Sequence, residues 1–166
     1  DVHSIGLATT PMVYYATAKM GYKASVQITA SHNSKEYNGL KVSGPNAVPI
    51  GFDKGLGQLK DMVETQTVKP VNNKGSVSEI SIMSDYISFQ LRYLTNLSGL
   101  NIAVDCSNGM AALLIKNILG NNVHYIYDNL DGTFPNHEPN PLIEKNVEDL
   151  KKLVKNEKCD IGVIFD

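Results

Sequence analysis

The stretch VHSIGLATTPMVYYATAKMGYKASVQI, residues Val2 to Ile28, decides the fold. Val2 to Leu7 reads as a short buried strand, followed by the loop Ala8-Thr9-Thr10-Pro11. Thr9 or Thr10 can cap a helix, and Pro11 suits a first helical turn, where a missing N–H leaves no bond unmade. That helix runs to about Met20 and stops at Gly21, the residue type that most easily turns left-handed past a helix end. Tyr22 to Ile28 is a second strand. Strand, helix and strand at this spacing predict a βαβ unit, with parallel pairing and a right-handed crossover. Loops at the carboxyl ends of such strands bind ligands, and both Thr9-Thr10 and the segment after Ile28 fall there.

That next segment, Thr29 to Lys41, concentrates polar chemistry: Ser31 adjoins His32, and Lys35 and Lys41 follow within ten residues of Ser31. Asn38-Gly39 is a turn signal that would fold its second half back over the first, into a third strand from Leu40 to Ser43. Leu56, Leu59, Met62 and Val63 predict an amphipathic helix within Phe52 to Glu64, its start weakened by Gly55 and Gly57. Thr65 to Ser78, with Pro70 and Asn72-Asn73-Lys74-Gly75, reads as a linker or long surface connection.

A second βα series follows. Ile80, Met83, Ile87, Leu91 and Leu94 share one helical face, and Leu100 to Asp105 is a buried strand. Ser107-Asn108-Gly109 turns into a helix from Met110 to Leu119, and Val123 to Tyr127 is the next strand. A long, Pro-rich loop, Asp128 to Leu142, precedes a helix from Glu144 to Lys155 and a strand from Ile161 to Phe165. Strands alternating with helices of this length predict an α/β sandwich here as well.

Bulk properties bound the function. The 166 residues carry a net charge of -2 and are 42% hydrophobic, which argues against global disorder and against a broad nucleic-acid surface. No apolar run nears the ~18 residues of a membrane span, and no signal-peptide pattern opens the chain, so a cytoplasmic location is expected. Cys106 and Cys159 lie in or beside apolar segments without metal-ligand spacing and read as buried, reduced thiols ahead of a disulfide.

Ser31 admits two readings from its surroundings alone. Most loop serines bond only to backbone. A hydrolytic serine would need a histidine base and an orienting acid, and Thr29-Ala30-Ser31-His32-Asn33 is not the G-x-S-x-G elbow often seen there. A phosphorylated serine, carrying a charge of about -1.5 to -2, would instead want cationic and N–H partners. Lys35, Lys41 and His32 are of that kind.

Thr29-Ala30-Ser31-His32-Asn33 followed by Tyr37-Asn38-Gly39-Leu40-Lys41 resembles the active-site loop of the α-D-phosphohexomutases. Asp131-Gly132-Thr133-Phe134-Pro135-Asn136-His137-Glu138-Pro139-Asn140-Pro141 is similar to a signature of that family's second domain. Gly162-Val163-Ile164-Phe165-Asp166 resembles the strand that enters its metal loop. The resemblance implies two three-layer α/β sandwich domains, both incomplete: residues 1–75 from domain 1 and 76–166 from domain 2. It implies that Ser31 is the phosphoryl carrier, with His32 and Lys41 contacting the transferring group or moving protons. Thr9 and Thr10 would line the substrate cleft. Asp166 would be the first of the aspartates that bind Mg²⁺, an ion that also touches the phosphoserine. The Asp131 to Pro141 loop would be structural or interdomain, its prolines giving it a rigid shape.

The implied reaction interconverts hexose 1- and 6-phosphates through a bisphosphorylated sugar, so hexose phosphates and bisphosphates are the expected partners. The family's third and fourth domains have no counterpart in this chain, so the fragment alone is expected to be inactive or nearly so. A non-catalytic phosphosugar-binding or regulatory module is the alternative. One departure from the family pattern is Ser34, where a proline usually follows Ser-His-Asn. It frees one backbone angle and removes no catalytic atom.

Overall fold

The structure, a computed structural model, describes residues 1–66, 69 and 71–166. The chain divides into two compact units: Asp1–Thr29 with Leu40–Met83, and Ala30–Gly39 with Ser84–Asp166.

The first unit is built on α1 (Thr10–Lys19). Thr9 caps it, its Oγ1 accepting from the Met12 amide at 3.3 Å, and Pro11 sits in the first turn. At the other end the Tyr22 amide reaches back to the Thr17 carbonyl at 3.0 Å around Gly21, whose φ of +66° is the left-handed turn the sequence anticipates. Met12, Val13 and Ala16 are buried, and so is Thr17, whose hydroxyl is spent on the Val13 carbonyl at 2.6 Å.

The strand pairing departs from the sequence reading. β1 (Val2–Ser4) pairs in parallel with β4 (Val77–Glu79), while β2 (Ser25–Ile28) pairs antiparallel with β3 (Leu40–Ser43). Among the described residues, β1 and β2 are not hydrogen bonded to each other. Spacing specifies that a helix separates two strands. It does not specify which strand lies alongside which, and sequential strands need not be neighbours. β1 also ends early, because Gly6 turns left-handed at φ +66°, and it is not the buried strand expected, since Val2 and Leu7 are exposed.

β4 lies at the end of the segment read as a linker. Asp1 anchors it there, its Oδ1 accepting from the Ser76 amide and hydroxyl at 2.7 and 2.9 Å. Pro70, the other linker signal, falls outside the described residues. The helix within 52–64 is split: a 3₁₀ turn at Phe52–Lys54, then α2 (Leu56–Thr65), broken at Gly55 with φ +139°.

Besides the Ala30–Gly39 loop, the second unit holds α3 (Met83–Leu91) from Ser84 onward and centres on a parallel sheet of order β6-β5-β7. These strands are Ile102–Asp105 (β5), His124–Ile126 (β6) and Ile161–Ile164 (β7). All of β5 is buried. On one face Ile102, Val104 and Cys106 pack with Ile115 of α4 (Ile115–Leu119), joined by Val163 and Phe165. On the other face α5 (Glu148–Asn156) lies against β5 and β7 so closely that a Cβ on Gly162 would stand 2.7 Å from Val154 Cγ2. Helices on both faces of a parallel sheet make this unit a three-layer α/β sandwich. The helix read over 110–119 again begins as a 3₁₀ turn, Met110–Leu113, before α4.

Candidate functional site

β5 is the central strand, and the chain leaves it for β6 on one side and returns at β7 on the other. The carboxyl ends of β5 and β7 therefore flank a switch in strand order, where open α/β sheets form their ligand crevices. Asp105 and Ser107 lie at the end of β5, and Phe165 and Asp166 just past the end of β7.

Asp105 is wholly buried, and its pairing with His137 was not foreseen from sequence. Its Oδ2 lies 3.0 Å from His137 Nε2, and its Oδ1 accepts from the Ser107 amide at 2.8 Å. Burial pushes this carboxyl above its ordinary range, against the lowering pull of the Ser107 amide and of His137. His137 Nδ1 lies 2.8 Å from the Glu138 carbonyl, which can only accept, so Nδ1 carries a hydrogen. The couple is then either carboxylate with imidazolium or carboxylic acid with imidazole. It is neutral in both forms, which is how a buried pair avoids a stranded charge.

The His137 ring meets Tyr127 edge to face at 5.3 Å, and the Tyr127 phenol donates to Asp149 Oδ2 at 2.8 Å. Burial, reinforced by Asp149, pushes that phenol up to about 12. Lys152, the stronger influence, and Tyr127 hold Asp149 below its usual range.

The Asp131–Pro141 signature is fastened into the same edge of the sheet. The Asp131 amide donates to the Asn108 carbonyl at 3.0 Å, and Asn136 Nδ2 donates to Asn108 Oδ1 at 2.7 Å. Ser107 and Asn108 both take left-handed backbone angles, φ 52° and 51°, which turn the chain sharply out of β5.

The Ser31 loop belongs to this second unit. Ser31 sits exposed in a turn closed by the Asn33 amide on the Ala30 carbonyl at 3.1 Å, and its φ of 57° is uncommon for a residue with a side chain. His32 Nδ1 comes within 3.6 Å of Asp166 Oδ2, with the two side chains 47% and 58% exposed. Ser34, standing where the family has proline, donates to Glu36 Oε2 at 2.6 Å, which lowers the Glu36 carboxyl.

The loop does not turn at Asn38-Gly39 as the sequence suggests. Asn38 Oδ1 accepts from the Gly39 amide at 2.9 Å, and the second turn instead closes from Ser34 to Tyr37, amide to carbonyl at 3.0 Å. An Asn-Gly pair makes a tight hairpin when strands abut it. Here eleven residues separate β2 from β3, so the reversal is spread along the loop.

Ser31, His32 and Asp166 thus share one unit, while Thr9, Thr10 and Lys41 belong to the other, Thr9 as the cap of α1 and Lys41 opposite Gln27 in the β2–β3 ladder. Asp166 supplies a hard carboxylate and Ser31 a hydroxyl, both suited in kind to Mg²⁺. They are too few to make such a site: among the described residues no three His, Cys, Asp or Glu side chains gather as metal ligands. Cys106 and Cys159 are free thiols, and Cys106 is pushed up to about 11, mainly by burial. Among the described residues, no helix is long and apolar enough to cross a membrane.

Residues 1–67 match the family model described as phosphoglucomutase/phosphomannomutase, alpha/beta/alpha domain I, and residues 84–166 match its domain II. The whole chain aligns with a phosphomannomutase of Salmonella montevideo at 37% identity, covering 39% of that protein. It aligns with a phosphoglucomutase of Neisseria meningitidis serogroup B at 32%, covering 36%. A crystal structure of a phosphoglucomutase/phosphomannomutase family protein from Burkholderia thailandensis superposes over 98% of this chain and 37% of its own, with TM-score 0.82 and 27% identity. The chain spans somewhat under two fifths of the length of these relatives.

Proposed function

The chain belongs to the phosphoglucomutase/phosphomannomutase family, and from that premise we propose that it is the phosphoserine-bearing part of a phosphohexomutase. Ser31 carries the phosphoryl group. A sugar hydroxyl oxygen attacks the phosphorus, the bond from phosphorus to Ser31 Oγ breaks, and the proton of that hydroxyl passes to a nearby base, for which His32 is the candidate. The freed Ser31 Oγ takes up a proton. The resulting bisphosphate turns over in the site, Ser31 Oγ loses that proton and attacks its other phosphorus, the bond from that phosphorus to the sugar oxygen breaks, and the sugar oxygen takes the proton that His32 holds. Such transfer asks the protein chiefly for in-line positioning and charge neutralisation. Lys41 supplies positive charge to the transferring group, and Thr9 and Thr10 contact the sugar phosphate.

The observation that carries this reading is the convergence of the Ser31 loop on the carboxyl end of β7, with His32 at 3.6 Å from Asp166. Asp166 and the Ser31 oxygen would be two of the ligands of a Mg²⁺ ion that neutralises the transferring charge, and they are too few to hold it by themselves. For that reason the 166 residues alone turn over hexose phosphate slowly or not at all.

The test uses the complete reading frame that encodes this chain, incubated with the 1-phosphates of glucose, mannose and glucosamine and a trace of the matching bisphosphate. Phosphorus NMR should report a 6-phosphate product, and Ser31→Ala should abolish it. Phosphate should be found on Ser31 by fragmentation, since the tryptic peptide 24–35 also holds Ser25, Thr29 and Ser34. Turnover surviving Ser31→Ala refutes the assignment. The same assay on the 166 residues alone should give little product.

A further inference from the structure

Ser107 combines features that neither its sequence position nor the mutase reading explains. It is fully buried, yet its backbone is left-handed at φ 52°, a conformation in which glycine is unstrained and any residue with a Cβ is disfavoured. Its amide is held by Asp105 Oδ1 at 2.8 Å, so the backbone is fixed without help from the side chain. The hydroxyl donates to the Phe165 carbonyl at 2.6 Å, across fifty-eight residues of sequence. The Phe165 amide in turn donates to the Asp105 carbonyl at 3.0 Å. Both polar groups of Phe165 are therefore clasped by the end of β5, and the next residue is Asp166.

We propose that Ser107 is a positioning residue: its hydroxyl fixes the exit of β7 and so holds the Asp166 carboxylate beside His32. The Asp131–Pro141 signature takes part through His137, which holds Asp105, which in turn holds the Ser107 amide. A loop expected to be structural or interdomain thus reaches the Ser31 centre through three hydrogen-bonded residues. The backbone would be easier with glycine at 107, and the hydroxyl is what serine adds. The part of the inference that concerns catalysis rests on the mutase reading above; the clasp itself does not.

Ser107→Gly separates the two, because it relieves the left-handed backbone while removing the hydroxyl and the single carbon that carries it. In the complete protein, kcat should fall roughly tenfold to hundredfold, as for a reacting group moved by a fraction of an ångström to an ångström, with KM changed less than about threefold. The thermal midpoint should hold. In the 166-residue chain, amide exchange at Phe165 should quicken and the Asp166 backbone should gain fast motion by ¹⁵N relaxation, while Val104 and Val163 keep their protection. Unchanged kcat in an active protein overturns the catalytic role, and unchanged Phe165 exchange overturns the clasp. A lowered midpoint with exchange rising throughout β5 and β7 makes Ser107 a plain folding residue and also overturns it. If the unsubstituted complete protein has no mutase activity, the proposed function fails, and Phe165 exchange still decides the clasp.

Discussion

Substituting Asp105 tests the buried couple at the end of β5, and alanine and asparagine should behave very differently. In Asp105→Ala two buried groups lose their acceptor at once: His137 Nε2 at 3.0 Å and the Ser107 amide at 2.8 Å. His137 is 7% exposed, so water does not readily replace the carboxylate. Removing one member of a buried pair costs about 3–5 kcal/mol, and an orphaned amide alone about 1–3. Because both losses fall on one site, the total should stay near 3–5 kcal/mol rather than reach the sum. Asparagine keeps the bonding. Its Oδ1 still accepts from Ser107, and its Nδ2 donates to Nε2 of a neutral His137 whose Nδ1–H stays on the Glu138 carbonyl. One neutral bond then replaces another, at a cost of about 1 kcal/mol. At roughly 4–8 °C per kcal/mol for a unit of this size, a difference of about 2–4 kcal/mol should separate the two variants by roughly 8–30 °C in midpoint. Urea and thermal unfolding by circular dichroism read this, and tyrosine must serve as the near-ultraviolet probe, because the chain has no tryptophan. Asparagine as damaging as alanine would refute the proton count on His137. Alanine within ~1 kcal/mol of wild type would refute the burial argument itself.

Four further outcomes follow from the packing. Gly162→Ala puts a methyl 2.7 Å from Val154 Cγ2 and 3.2 Å from Leu150 Cγ, and should cost about 1–3 kcal/mol in unfolding free energy by forcing α5 off β7. Thr9→Ala removes the cap of α1 and should cost about 1 kcal/mol, whereas Thr9→Ser should restore most of it. Cys106 is pushed up to about 11 in the folded chain, so the stability it contributes is present below its unfolded value of about 8.5 and is lost as pH rises toward 11. Wild type should therefore lose about 3 kcal/mol more than Cys106→Ala across that window. A thiol reagent should label half-buried Cys159 before Cys106, and equal rates would refute the burial of Cys106.

What could be read from the sequence was what local chemistry controls. Thr9, Pro11 and Gly21 bound α1 because capping and left-handed turns are decided within a few residues. The run Ile102-Ala103-Val104 is apolar without alternation because both faces of β5 are covered, and that too is local. Pairing is different in kind. Nothing within Val2–Ser4 names Val77–Glu79 as its neighbour, and the bond that anchors the pair, Asp1 to Ser76, joins residues at opposite ends of the first unit. The expected turn at Asn38-Gly39 failed for the converse reason: a local preference was overruled by the length of loop between β2 and β3.

The same division explains which site residues were visible. Ser31, His32 and Asp166 lie in motifs whose residue types already suggest charge handling. Asp105, Ser107 and His137 become a set only when β5, β7 and the Asp131–Pro141 loop meet, across separations of thirty-two and fifty-eight residues. One trace was present: an aspartate ending the apolar run Ile102-Ala103-Val104, a position where a carboxylate would cost much unless partnered. A buried charge in a strand implies a partner somewhere in the chain. With only four histidines, and one of them inside a rigid Pro-rich signature, His137 was the candidate such a search would have reached first. Substituting it should confirm the dependence in reverse: His137→Leu leaves Asp105 buried without its partner. The Asp105 carboxyl would then be forced further toward its neutral form, so that the variant loses stability as pH rises through the raised carboxyl range and regains part of it in acid. A His137→Leu stability profile parallel to that of wild type between pH ~4 and ~7 would mean that Asp105 draws no charge compensation from the signature loop.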